Sequence, residues 1–279
     1  MKPTFIILSF SALLVIFLLF YFGKTYQPQD IIKGKIKDNV QSFDIQSFIQ
    51  EKTNQLSPDQ KTYLRPFSTS ASDSASLIKQ AEFWKDSANV PAIAAYYYGL
   101  LAKLVKSEKN LNFASQFYID CIRAENDGRL LDWESEQAIT LFDDAIERDS
   151  SNVDLKIGRA SCFIFGKGRS GDPQQTMQGV LSLLDIVRKD SANMKAQKLL
   201  GIGGFISGQY DKAIPRLEKV LNKKPDDVEA MIYLADSYAA KGEIDKAVGL
   251  YNESKKMMND QHYNEEVDRR IKELEKEKH

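Results

Sequence analysis

The chain has 279 residues, of which 43% are hydrophobic and 28% charged, and its formal net charge is −1. That balance fits a folded chain with a solvated surface and supplies no field that would draw nucleic acid along it. Two cysteines and two histidines make neither a disulfide framework nor a zinc or thiol–imidazole constellation, so no catalytic residue, metal or cofactor is assigned.

In chain order, a four-residue tail precedes the run FIILSFSALLVIFLLFYF from Phe5 to Phe22, in which only Ser9 and Ser11 are polar. Eighteen helical residues rise about 27 Å, close to the thickness of a bilayer core. Residues 5–22 are therefore expected to be a transmembrane helix held in the lipid bilayer. Tyr21-Phe22-Gly23-Lys24 is a poor cleavage site, which disfavours a removed signal peptide. Lys24, Lys33, Lys35 and Lys37 follow the run, against Lys2 before it. The positive-inside rule then points to a single-pass protein with a cytoplasmic C-terminal domain. A periplasmic domain stays open, because long domains cross regardless of flanking charge.

Residues 23–75 read as a juxtamembrane region. Phe43, Ile45, Phe48, Ile49 and Leu56 outline a short amphipathic helix, and Ser57-Pro58-Asp59 a turn into another. STSASDSAS, Ser68 to Ser76, reads as a flexible linker, with the main domain starting just after it. Helical stripes then follow: Leu77, Ile78, Ala81 and Trp84; Ile93, Tyr97, Leu100, Leu101 and Leu104 after Pro91; Phe113, Phe117, Cys121 and Ile122; Ile139, Phe142 and Ile146. No segment alternates with a period of two, so the fold class is all-α. Cys121 and Cys162 fall in apolar helical runs and are expected to be buried thiols.

Met194–Asp227 repeats from Val228 onward at an offset of 34 residues. Gly208 matches Gly242, Asp211-Lys212-Ala213 matches Asp245-Lys246-Ala247, and Leu200-Gly201 matches Leu234-Ala235. This period and these residues resemble the tetratricopeptide repeat. The resemblance implies an α-solenoid of helix-turn-helix repeats: degenerate hairpins over 76–152, a repeat with an extended turn over 153–193, repeats over 194–227 and 228–260, and a capping helix over 261–279. Val267, Ile271 and Leu274 would face the core from that cap. Gly166–Gly171 matches G-x-G-x-x-G but follows a helix rather than a strand, so it reads as the extended turn, with Lys167 and Arg169 exposed for a partner.

The spacing of first helices in such a solenoid places Ile157, Ser161, Lys195, Lys198, Ile202, Ile232 and Asp236 along a candidate protein-binding groove. The family's chaperone-tail clamp is absent, since the matching places hold Ile157, Ser161, Leu199, Glu229 and Tyr233. The acidic groups Asp143–Asp144–Glu147 and Asp226–Asp227–Glu229 read as solvated helix faces and starts. Asp-Ser-Ala occurs at Asp73, Asp86 and Asp190 and resembles a short O-glycosylation signal of some exported bacterial proteins; the same residues also suit helix ends. The expected function is a membrane-anchored scaffold that binds a protein or peptide partner and is not an enzyme. Two alternatives stand beside it. One is a homo-oligomeric membrane-organisation component associating through Tyr96, Tyr97 and Tyr98; the other, implied by the resemblance together with a location in a bacterial inner membrane, is a cytochrome c maturation-like assembly factor.

Overall fold

The computed structural model describes residues 43–68 and 73–277. The expected span Phe5–Phe22 lies outside the described residues, as does the middle of the expected linker. No helix among the described residues is long and apolar enough to cross a membrane. Every described element is helical.

Two short helices come first. Asp44 starts α1 (Ile45–Gln55) by accepting hydrogen bonds from the Gln46 and Ser47 amides, and α2 spans Pro58–Ser68. The domain boundary expected at the linker moves, because both helices belong to one compact unit, Phe43–His279. Leu64 is buried, Tyr63 stacks on Phe83 at 5.5 Å between ring centroids, and Phe43 lies 5.5 Å from Trp133. The amphipathic stripes of α1 and α2 are thus covered by protein.

Hairpins follow. α3 (Ser74–Glu82) widens into a π turn over Phe83–Ser87 and pairs with α4 (Pro91–Val105). α5 (Glu108–Ala124) pairs with α6 (Gly128–Arg148). α7 starts at Val153–Ser161 and pairs with α8 (Pro173–Lys189). α9 (Met194–Ile206) pairs with α10 (Tyr210–Lys223), α11 (Val228–Ala240) with α12 (Ile244–Met258), and α13 (Gln261–Glu277) covers the last hairpin. The starts repeat: Asn152, Asn193 and Asp227 cap the first helices of successive hairpins, each accepting from the amide three residues on. Such a cap contributes ~1 kcal/mol. Gly208 and Gly242 turn first helix into second at φ +71° and +76°, where a side chain would be strained. Close crossing needs Gly201, since a Cβ there would sit 2.6 Å from Leu217 Cγ.

Two expectations fail in instructive ways. The extended turn of 153–193 is mostly helix: α7 continues through a π turn, Cys162–Lys167, and ends with Gly168–Ser170. Only then does Gly171, at φ +94°, stop it, and Asp172 caps α8. All six residues of the π turn are buried, because α7 is enclosed by α5 and α6 on one side and α8 and α9 on the other. Gly166 is needed where α7 meets α6: a Cβ would fall 1.8 Å from Ser135 Oγ. The glycine-rich composition that read as a turn is therefore packing. Between α5 and α6 only residues 125–127 break the helix, and α6 starts at Gly128. Secondly, Ile78, Leu104 and Phe113, read as core positions, are exposed. The buried stripe of α5 runs through Leu111, Ala114, Tyr118 and Ile122 instead. On α13, Val267 and Ile271 are buried and Leu274 packs against the same core.

Candidate interaction face

The first helices curl toward one another. Arg123, at the end of α5, pairs with Glu229, at the start of α11, at 2.5 Å, although α7 and α9 stand between them in the stack. Arg123 also lies over the Phe165 ring at 4.3 Å from its centroid. Glu229 and Asp227 both reach Lys198 Nζ, each at 2.9 Å. Burial lowers the Lys198 pKa, but hydrogen bonds and charge from these two carboxylates more than offset it, so its pKa is raised. Next to this bar, Tyr233 is half-buried. Burial, then Glu229, push its phenol up, while Arg123 and Arg169 pull the other way. Arg169 donates to the Ile122 and Glu125 carbonyls and fastens the end of α7 to the end of α5.

Beyond the bar lies a cleft of about 400 Å³. Phe205, Tyr210, Ala239, Ala240 and Tyr251 line it, with Arg270, Glu273 and Leu274 of α13. Phe205 is anchored by edge-on contact with Tyr233, ring centroids 5.6 Å apart. Asp236 sits at the back. It accepts from the Tyr251 hydroxyl and lies 3.7 Å from Arg270 Nη1. Burial raises the Asp236 pKa, and the Tyr251 hydrogen bond and Arg270 act against it. An aromatic and aliphatic lining with two carboxylates, Asp236 and Glu273, and one guanidinium suits an apolar side chain carried on a peptide backbone.

The seven groove residues expected from sequence divide. Ile157, Ser161 and Ile202 are buried and do not face solvent; the Ser161 hydroxyl donates to the Ile157 carbonyl. The inward curl of neighbouring first helices covers them. Lys195 is exposed and pairs with Asp154 at 2.8 Å, while Ile232 is half-buried. Lys198 joins the bar and Asp236 the cleft. Lys167, expected to be exposed, is 1% exposed, with its ammonium 2.6 Å from Asp132 Oδ1 and 3.0 Å from Glu136 Oε1. Asp227 and Glu229, expected to be solvated, hold Lys198 and Arg123.

Phe205, Tyr210, Arg270 and Arg123 were missed. Phe205 carried a signal: at the 34-residue offset it aligns with Ala239. A bulky aromatic where the next repeat has a small residue is how a regular stack makes a hollow. The same offset pairs Ile202 with Asp236, so one position is core in one hairpin and cleft in the next.

The tyrosines proposed for self-association have partners within the chain. Tyr96 accepts from Gln46 Nε2 at 2.8 Å, Tyr98 is buried against Phe113 and Phe117, and Tyr97 packs on the core. Burial, then Tyr96, raise the Tyr97 phenol to about 12. Both cysteines are free and buried, and burial pushes both thiols up.

Residues 205–264 match the family model for the tetratricopeptide repeat. No curated protein matches the chain by sequence. Among solved structures the chain is similar to MamA 41-end from Desulfovibrio magneticus RS-1, with 14% identity over 67% of this chain and 96% of that one and a TM-score of 0.45. It is also similar to YrrB, a "TPR protein with an unusual peptide-binding site", with 16% identity, coverage of 75% and 99%, and a TM-score of 0.42. A tetratricopeptide repeat protein from Parabacteroides merdae ATCC 43184 shows 13% identity, coverage of 78% and 99%, and a TM-score of 0.33. None of the three lends a partner or an activity to this chain. Residues 205–264 thus match the tetratricopeptide repeat, within a described chain that is an all-helical stack of hairpins.

Proposed function

We propose that the chain is a scaffold tethered to a membrane by Phe5–Phe22, which holds a segment of a partner protein along its first-helix face. The observation that carries this reading is the cleft between α9, α11 and α13. It offers aromatic and small side chains, which desolvate an apolar anchor, and Asp236 with Arg270 to orient its backbone or a polar neighbour. The Arg123–Glu229 pair bounds the site on the side of the earlier hairpins. The tether rests on the apolar run and its lysine flank in the sequence.

Crosslinking of the full chain in native membranes tests the capture site. Phe205→Asp and Leu274→Asp are expected to lower partner recovery about tenfold or more, as loss of a buried anchor does. Lys219→Glu, on the exposed face of α10, serves as the control. Unchanged recovery with both cleft variants, at unchanged helical content, contradicts the reading.

A further inference from the structure

At the corner where α4 hands over to α5, apolar side chains face outward. Leu104, Val105 and Phe113 are 50%, 46% and 50% exposed. They are not loose: Phe113 sits edge-on to Tyr98 at 4.8 Å and stacks beside Phe117 at 6.1 Å. Lysines neighbour this wedge in the sequence, and Lys85, Glu82 and Asp86 act on Tyr98 beneath it. Lys103, Lys106 and Lys109 are all exposed, with Glu108 the acidic residue among them. Lys103 Nζ rests on a neutral partner, Gln137 Oε1, at 3.2 Å. Exposed large apolar groups interleaved with exposed lysines match a surface that is anionic outside and apolar beneath, which is the interface of a lipid bilayer.

We propose that this corner docks on the anionic headgroups of the membrane. Leu104, Val105 and Phe113 enter the interface, and Lys103, Lys106 and Lys109 meet lipid phosphate and carboxylate groups. The proposal rests on the tethered reading above. The 21 residues from Phe22 to Phe43 reach at most about 70 Å when extended, enough for the stack to lie against the membrane that holds the tether. The docked corner would fix the orientation of the stack, which a single tether leaves free.

The test uses the full chain reconstituted in vesicles, with a fluorophore on Leu104→Cys; Cys121 and Cys162 are buried and do not compete for the label. Vesicles of phosphatidylcholine with phosphatidylserine are compared with phosphatidylcholine alone, each carrying acyl-chain bromines as quencher. Quenching of the Leu104→Cys label in the anionic vesicles, lost on adding Lys103→Glu, Lys106→Glu and Lys109→Glu, is the expected result. A label on Met258→Cys, an exposed side chain at the end of α12, should stay unquenched. A chain that floats with the vesicles while its Leu104→Cys label stays unquenched overturns the docking proposal and leaves the tether standing. A label shielded from both bromines and aqueous quencher reports a protein contact and likewise overturns it. A chain that fails to float overturns both.

Discussion

The fourth and fifth hairpins and the third are built on different principles. In α9–α12 the geometry is local and repeated: Gly208 and Gly242 make the turns, and Gly201 and Ala235 let the helices cross. In the third hairpin α7 is longer and widened by a π turn whose residues are all buried. There the joints are polar and long-range. Lys167 ties α7 to Asp132 and Glu136 of α6, and Arg169 ties it to two carbonyls at the end of α5. Regular hairpins stack by nearest-neighbour packing; the irregular one sets the curl that brings Arg123 to Glu229.

Substitutions at the irregular joint should have the largest effects. Asp132→Ala with Glu136→Ala strands a buried ammonium and is expected to destabilise by ~3 kcal/mol, whereas Lys167→Met leaves two carboxylates free to solvate and costs ~1 kcal/mol. Chemical unfolding that ranks them the other way would show Lys167 to be a packing residue only. Next comes Gly166→Ala, whose methyl collides with Ser135 and should cost ~2–3 kcal/mol. Gly242→Ala, with open space around it but φ +76°, should cost ~1 kcal/mol. Equal losses of thermal stability at the two glycines would erase the distinction between the hairpins.

These contrasts explain what the sequence makes legible. The 34-residue offset and the α13 stripe were readable because each is local or periodic. The path of α7 was not. Gly166 and Gly168 look like turn residues unless Ser135, 31 positions earlier than Gly166, is known to press against the helix. The same holds for Lys167, whose burial depends on carboxylates of the preceding hairpin. Of the groove, Lys198 and Asp236 were reachable from spacing, while Arg123 needed the curl. Ile157 and Ile202 were misplaced because that curl covers them.

A smaller effect concerns Glu134 on α6, which is 1% exposed with one carboxylate oxygen lacking a partner. Burial, then Glu125, push its pKa up to about 8. The folded chain therefore holds a proton there that the unfolded chain releases above about pH 4.3. Its contribution to stability falls as pH rises from the unfolded pKa to about 8 and is flat beyond. Glu134→Gln is expected to raise the melting temperature at pH 8 and change it little at pH 4; a uniform shift at both would contradict the assignment. Smallest of all, Glu229→Gln should cost less than ~1 kcal/mol of stability, and less still at high salt, because Arg123 and Glu229 are partly solvated.

The most direct test of the account is site-specific photocrosslinking of the full chain in its membrane. Probes go at Tyr210 and Leu274 on the cleft and at Lys219 and Leu181 on the exposed second helices. The account predicts adducts to one partner segment from the two cleft positions and none from the other two. Adducts that form equally from the second-helix positions, or from those alone, would contradict it.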